Sequence, residues 1–197
     1  MDTAVAEVAR RFAALGHEVH TQDRFDLPAV INQAVWPVLS QSGVAWLLHD
    51  RPGALDLVGP GARAMAEAGA ALPATALVQA LNTARRVQEA VQRLFEDFDL
   101  LLTPTAAAMP WPATEVYPPV IDGRPAGPRG HAAFTAFVNA AGVPALALPA
   151  PAAPDGLPIG FQLVGRHGDD ALLCAIGAAY EAAHPWAHRW PPSPGDA

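Results

Sequence analysis

The sequence predicts an α/β fold in which a mixed β-sheet core is flanked by helices. Three observations lead to this class. Helical and strand-like segments alternate along the 197 residues. Two apolar runs, 100–102 and 145–148, lack polar alternation, as expected for strands that are buried on both faces. A long amphipathic stretch over 73–98 has the apolar periodicity of a helix that covers such a sheet.

The first half of the chain reads as helices separated by glycine and proline. Its predicted segments are a helix (2–15), a short strand or extended loop (17–20), an apolar stretch (27–49), a loop (50–61) and the long helix (73–98). Gly16 is expected to stop the first helix. Pro37 and Gly43 should kink or split any helix in the apolar stretch.

The second half contains the strands. Its predicted segments are a strand (98–105), a long loop (106–130), a helix (131–141), a strand (145–148), a turn (155–156) leading into a strand (156–165), a helix (from 169 or 170 to about 184) and a proline-rich tail (185–197). The chain shows no internal repeat and no clear linker. We therefore expect residues 1–184 to form a single α/β domain, or part of one, followed by the tail.

Composition and charge exclude several classes of protein. Hydrophobic residues make up 51% of the chain and charged residues 16%, which argues against disorder. The net charge is −7 without a basic cluster, so we expect no nucleic-acid partner and no membrane binding. The amphipathic, charged N-terminus differs from a signal peptide, and a single cysteine excludes an internal disulfide. A cytoplasmic protein is the expectation.

The histidines do not form a recognisable metal site. His17 and His20 are three residues apart, which on a strand places them on opposite faces. His184 and His188 have helical spacing, but Pro185 stands between them. Because no carboxylate joins either pair, we expect surface or capping histidines, no metal and no cofactor.

The remaining reactive side chains also have structural explanations. Cys174 lies in an apolar helix and is expected to act as a small hydrophobic residue. Asp169 and Asp170 are explained by helix capping. Ser40 and Ser42 lie in QSGVAW, which lacks the glycine pattern of a nucleophile elbow and favours turn formation. All 12 positive side chains are arginine, so no lysine is present. The residues therefore offer no catalytic set.

The ends of the strands are the more informative feature. Ligands of open α/β sheets collect outside the carboxyl ends of the strands. Thr103 and Thr105 stand at one such end, and a loop that contains Trp111 follows directly.

Three segments together resemble the C-terminal half of the amidase signature family. They are FDLLLTPT (98–105), FTAFVNAAGVPALALPA (134–150) and GLPIGFQLVGRHGDDALLCAIGAAYE (156–181), and their order and spacing match the family. The resemblance covers about residues 75–183, while residues 1–74 match in layout only. It implies that the glycine-led segment at 156 is a strand of the central sheet.

In that strand the glycines and the proline have architectural roles. Gly156 and Pro158 would set the turn that leads into the strand. Gly160 would let a neighbouring segment pack closely, as a glycine within a strand often does.

The resemblance also implies a chemistry. Family members hydrolyse carboxamide C–N bonds with a serine nucleophile, a lysine and a second serine that shuttle protons, and backbone N–H groups that hold the oxyanion. Nothing in this sequence matches the segment that carries those groups, so no catalytic residue is assigned. By position, Thr103, Thr105 and Trp111 are the candidates for the wall of the substrate pocket. The competing interpretation is a strand terminus and a packed loop.

Three functional hypotheses follow. The first is the C-terminal part of an amidase that is inactive alone and acts on a small amide only in a complete enzyme. It fits a first helix that begins at residue 2 and feeds a sheet without a preceding strand. The second is a non-catalytic binding or structural subunit that pairs with a catalytic chain, such as an N-terminal amidase segment, or with itself through an exposed sheet edge. The third is an independent enzyme that uses a histidine or an aspartate, for which loss of activity in His131→Ala or His49→Ala would be the evidence.

Overall fold

The computed structural model describes residues 2–22 and 30–189, and the structural statements below refer to these ranges. The α-helices are α1 (Asp2–Ala14), α2 (Trp36–His49), α3 (Ala54–Leu57), α4 (Pro60–Ala70), α5 (Ala74–Asp97), α6 (Ala133–Ala141) and α7 (Asp170–Ala183). The strands are β1 (Leu101–Pro104), β2 (Val120–Ile121), β3 (Arg124–Pro125), β4 (Ala145–Pro149) and β5 (Gly160–Val164). The α/β class predicted from the sequence is confirmed.

The main sheet has β5 at its centre. β1 and β4 lie on either side of β5, and each pairs with it in the antiparallel direction. Leu101 of β1 and Ala145 of β4 both lie opposite Val164. β1 and β4 therefore run in the same direction, although the pairings between described strands are antiparallel. Their carboxyl ends consequently meet at one end of the sheet.

One face of the sheet packs against α1 and α7. Phe161 and Leu163 of β5 are buried on this face together with Phe12 of α1 and Tyr180 of α7. The Phe12 and Tyr180 rings stack at a centroid distance of 5.0 Å. Burial of large aromatic side chains is a major source of stability, so these contacts fix both helices on the sheet.

The other face packs against α5 and α6. Val164 is fully buried there, in a cluster with Val87, Val91 and Phe95 of α5 and Phe137 of α6. The three α5 residues are four positions apart in the sequence, which places them on one side of the helix. The predicted long helix over 73–98 is confirmed as Ala74–Asp97. Its buried residues are Ala80, Val87, Val91 and Phe95, whereas Leu81, which the same periodicity includes, is exposed.

β4 differs from the buried strand that the sequence predicts. Leu146 and Leu148 are half-buried on the α7 side, but Ala145 and Ala147 are exposed. The small side chains of Ala145 and Ala147 point to the same side of the sheet as α5 and α6. Those two helices cover β1 and β5, but they do not extend over β4. The prediction that the apolar run 145–148 is buried on both faces was therefore wrong, because only one face of β4 is covered.

The stretch around Pro37 changes from a π-helical turn to an α-helix, and this α-helix continues through Gly43. A π-helical turn, Ile31–Val35, leads directly into α2, and Pro37 lies in the first turn of α2. Proline is tolerated there because the first N–H groups of a helix have no intrahelical partner. Gly43 lies within the helix, at a cost of about 1 kcal/mol relative to alanine that does not break it.

Two predicted loops contain regular structure. Within 50–61 the chain forms the short helix α3 and begins α4 at Pro60. Within 106–130, β2 and β3 form a hairpin. The hairpin turns on Asp122 and Gly123, whose φ angles of 51° and 69° are those of a two-residue turn with left-handed residues. Asp-Gly is a strong signal for such a turn, and it lies in the middle of this proline-rich segment.

The ends of several elements follow the sequence prediction closely. Gly16 has a φ of 95° just after α1, and Gly142 has a φ of 69° after α6, so both glycines end helices in the left-handed conformation. Residues 17–22, the predicted short strand or loop, form neither a helix nor a strand. The last strand begins at Gly160 and not at 156, because Pro158 has no N–H to donate to a ladder.

The tail prediction falls partly outside the described residues, which end at 189. Before that point Trp186 packs against the α1–α7 core, and Ala187–Arg189 forms a 3₁₀ turn. No single described helix combines the length and apolarity needed to cross a membrane. The pair α4 and α5, bent by 103°, meets those two criteria only when taken together.

Candidate functional site

The candidate site lies where β1 and β4 end and β5 begins. The backbone N–H of Thr105 donates to the Gly160 carbonyl at 3.2 Å, which extends the β1 ladder by one residue. On the other side, Ala150 N–H donates to the Ile159 carbonyl at 2.8 Å. The segments that follow β1 and β4 are thus both hydrogen-bonded to the residues at the start of β5.

A buried hydrogen-bond network lies directly beneath this end. Gln162 of β5 is 4% exposed, and its Nε2 donates to the Thr103 hydroxyl at 2.9 Å. The same amide nitrogen donates to the Phe134 carbonyl in the first turn of α6. Buried polar groups need partners, and this amide satisfies one acceptor on the sheet and one on the helix. The network ties the start of α6 to β1 and β5.

Gly160 and Thr105 approach each other closely. A Cβ atom on Gly160 would lie 2.5 Å from Oγ1 of Thr105 and 3.4 Å from its Cγ2. No side chain fits in that space without displacing the threonine. The sequence-based role of Gly160, which is to admit a closely packed neighbour, agrees with this geometry.

Trp111 stands against His131. Their ring centroids are 5.1 Å apart, and Nε1 of Trp111 donates to the Glu115 carbonyl at 3.1 Å, which closes the turn in which the tryptophan lies. Ala107 N–H donates to the His131 carbonyl at 2.9 Å. The loop after β1 is therefore fastened to the segment that leads into α6.

Two buried polar atoms near this segment lack a partner among the described residues. They are Nδ1 of His131 and Oδ1 of Asn32. The other amide atom of Asn32, Nδ2, donates to the Arg129 carbonyl at 3.2 Å. The Arg129 guanidinium lies 5.5 Å from the centre of the Trp36 ring. Unsatisfied buried polar groups are rare and often mark a position that a water or another chain segment completes.

The three predicted pocket-wall residues therefore occupy different layers of one region. Thr103 is buried beneath the end of the sheet, whereas Thr105 and Trp111 are half-buried. Thr103 and Thr105 come together at the entry to β5, and Trp111 packs against His131. Gln162 was not among the predicted site residues. A polar residue within an otherwise apolar strand was the available signal for it.

The arrangement can form a wall, but its described side chains do not form a nucleophile with a base. The Ser40 hydroxyl lies 2.5 Å from the Trp36 carbonyl one turn back in α2 and donates to it. Ser42 lies in the same helix, not in the predicted turn. Within the described ranges, no group of three or more histidine, cysteine or acidic side chains could hold a metal ion.

Two other sequence-based interpretations need correction. Cys174 is exposed, because it lies on the side of α7 that faces away from the sheet. Asp169 occupies the N-cap position of α7, but its carboxylate accepts from the backbone N–H of Arg166 at 2.9 Å and makes no bond to a helical N–H.

Comparison with known proteins gives the same family as the three sequence segments. The amidase family model matches residues 1–174. A glutamyl-tRNA(Gln) amidotransferase subunit from Thermodesulfovibrio yellowstonii is 38% identical over 101 residues, which are 51% of this chain and 20% of that relative. An acylamidase from Rhodococcus erythropolis is 36% identical over 98 residues, 48% of this chain and 20% of the relative. The chain thus spans about a fifth of these curated relatives.

Solved structures agree with these matches. The 6-aminohexanoate cyclic dimer hydrolase in complex with substrate superposes with a TM-score of 0.78 at 28% identity, over 96% of this chain and 42% of its own. A bacterial aryl acylamidase of the amidase signature enzymes has a TM-score of 0.78 at 24% identity, over 94% and 40%, and shares the fold. With a family model matched over most of its length, the chain belongs to the amidase family.

Proposed function

We propose that this chain is the C-terminal portion of an amidase-type amidohydrolase, which hydrolyses carboxamide C–N bonds when complete, and that it is inactive alone. Its relatives include an acylamidase by name. The carboxyl end of β1 and the loop that follows it supply part of the wall of the substrate pocket through Thr105 and Trp111, with Thr103 fixing the wall from beneath. A small amide is the substrate class.

The inactivity follows from the side chains that the chain lacks. The sequence contains no lysine and only three serines, Ser40, Ser42 and Ser193. Acyl transfer by a serine needs a base that accepts its proton. The Ser40 hydroxyl is already bonded within its own helix. The nucleophile and the proton-handling groups therefore belong to another segment or another chain.

The open side of the sheet supports a missing neighbour. Ala145 and Ala147 are exposed, while Val164 and Gln162, directly opposite them on β5, are buried. The outer edge of β4 pairs with no other described strand. An unpaired edge beside an uncovered apolar face is a surface that another strand and its covering helix would complete.

The test is amide hydrolysis by the purified chain, alone and mixed with a separately expressed segment that carries the Ser-Ser-Lys set of an amidase-family protein. Release of the amine from a small aryl amide is the readout. We expect no release above the buffer rate by the chain alone, and release after mixing. Hydrolysis by the chain alone that survives repeated purification contradicts the proposal. If that activity disappears in His131→Ala or His49→Ala, the chain is an independent enzyme.

The alternative is a non-catalytic subunit that pairs with a separate catalytic chain or with itself. The exposed Ala145–Ala147 side of β4 favours it, and one relative is by name a subunit of an amidotransferase. Size-exclusion chromatography with light scattering separates the cases. A stable monomer that gains no partner on mixing argues against both forms of pairing, whereas a dimer favours self-association.

A further inference from the structure

A second region of the molecule places two arginines and two histidines around a cavity that is open to solvent. This cavity has a volume of about 330 Å³ and lies between the C-terminal ends of α1 and α7 and the chain that leaves β4. Its wall is made by two kinds of residue, small or cyclic apolar ones and four basic side chains: Pro149, Pro151, Pro185, Ala183, Arg11, His184, His188 and Arg189. No carboxylate from the described part of the chain lines it, although the whole chain carries a net charge of −7.

Hydrogen bonds hold the two arginines in place, and each guanidinium keeps N–H donors that these bonds do not use. Arg11 donates through Nε to Glu7 at 3.3 Å and through Nη1 to the Tyr180 hydroxyl at 3.4 Å. Arg189 donates through Nη1 to the Ala150 carbonyl at 2.8 Å. A guanidinium has five N–H donors. Among the described residues, no bond uses Nη2 of Arg11, nor Nε or Nη2 of Arg189.

The imidazoles add donors to the same wall. The His184 ring packs on Tyr180 at a centroid distance of 5.2 Å, and Tyr180 is fully buried, so this ring has a firm support. His188 lies in the 3₁₀ turn that also carries Arg189. Four basic side chains thus reach one cavity from three elements of the fold.

Helix capping explains only part of this cluster. Basic side chains are favourable near helix C-termini, which accounts for Arg11 at the end of α1 and His184 just after α7. It does not account for His188 and Arg189, which follow Pro185 and return to the same cavity. Glu7 contacts Arg11 and offsets one of the charges, which leaves the second guanidinium without a carboxylate partner among the described residues.

We propose that this cavity binds a small phosphate-type oxyanion. A phosphate group offers several strong acceptor oxygens, and arginine forks match its geometry. Arg11 and Arg189 supply the charged donors, and His184 and His188 supply further N–H groups. Pro149 and Pro151 place this site beside the carboxyl end of β4, on the α1–α7 side of the sheet, whereas Thr105 lies on the α5–α6 side.

Isothermal titration of the full chain with inorganic phosphate, in a buffer of low chloride, tests the proposal. We expect saturable binding at one site, at least about tenfold tighter than binding of acetate, because a dianion meets both guanidinium groups. Arg189→Gln should weaken it about tenfold, or ~1.4 kcal/mol. Phenyl phosphate serves as a second probe. Tighter binding of phenyl phosphate than of phosphate identifies a phosphate ester as the ligand, and the reverse identifies the free ion.

Arg93→Gln is the matched control, since it removes one positive charge from the exposed side of α5. It should leave the phosphate affinity within about twofold of the parent value. Because Arg11 also contacts Tyr180, its variant could lose structure, so the double variant His184→Gln, His188→Gln provides the second test and should also weaken binding. Absence of saturable binding, equal binding of acetate, or an equal loss in Arg93→Gln overturns the proposal.

Discussion

The side chain of Thr105 occupies the space in which Gly160 would carry a Cβ, at 2.5 Å from that position. Real Cβ atoms do not approach a hydroxyl oxygen so closely, so Gly160→Ala must move either the threonine or the strand. Overpacking of this kind costs about 1–3 kcal/mol. We expect Gly160→Ala to lower the free energy of unfolding by that amount, measured by urea denaturation.

The double variant Gly160→Ala, Thr105→Ala tests the cause of this loss. With the threonine shortened, the nearest atom left is its Cβ at 3.5 Å, which is an ordinary contact. The double variant should therefore recover most of the stability that Gly160→Ala loses, relative to Thr105→Ala alone. If the two changes are simply additive, the close approach is not what requires glycine here.

Replacing Gln162 is expected to lower the free energy of unfolding more than replacing its partner Thr103. Gln162→Leu leaves the Phe134 carbonyl and the Thr103 hydroxyl without their shared donor, and a buried unsatisfied group costs about 1–3 kcal/mol. Thr103→Val removes the bond from Gln162 and the bond that the Thr103 hydroxyl donates to the Pro104 carbonyl, but it keeps the bond from Gln162 to Phe134, which holds α6 on the sheet. Urea denaturation should therefore give a larger loss for Gln162→Leu. Equal losses contradict a network that links α6 to the sheet.

Arg166 fastens the end of α5 to the segment after β5. Its guanidinium donates to the Phe95 carbonyl at 3.0 and 3.1 Å, and also to the Phe98 carbonyl and the Asp99 carboxylate. Its side chain is 46% exposed, so solvent weakens these contacts. We expect Arg166→Met to cost about 1–2 kcal/mol of unfolding free energy.

Arg93→Met is the control for this change, because Arg93 lies on the exposed side of the same helix. Surface substitutions of this kind usually change stability by less than about 0.5 kcal/mol. Thermal unfolding of both variants should therefore show a clear loss only for Arg166→Met. Similar losses in both would mean that the total charge of the chain, and not the capped carbonyls, determines the effect.

Features that depend on short-range chemistry could be predicted from the sequence. The left-handed conformations of Gly16 and Gly142 follow from glycine at a helix end, and the buried stripe of α5 follows from its periodicity. Gly160 could also be predicted, since a glycine within a strand indicates close approach. The partner in that approach, Thr105, lies 55 positions earlier and is fixed only by the register of β1 with β5.

Features that depend on the path of the chain could not be predicted. Trp111 and His131 meet because a hairpin folds between them, and the segment 106–130 reads as loop from its prolines. Arg11 and Tyr180 are 169 positions apart, so no local pattern indicates that their side chains meet. The exposure of Ala145 and Ala147 likewise depends on which helices cover β4, which apolarity alone does not reveal.

A substitution on the exposed side of β4 can test binding of a partner segment without affecting the folding of this chain. Ala147→Glu places a charge on a position that solvent already reaches, so the isolated chain should lose less than about 0.5 kcal/mol of stability. A neighbouring segment docked on that side would have to bury the charge, which is strongly unfavourable without a partner. We therefore expect Ala147→Glu to abolish co-elution with the catalytic segment and amide hydrolysis after mixing, while Ala175→Glu, on the outer side of α7, preserves both. Unchanged co-elution of Ala147→Glu would place the partner on another surface.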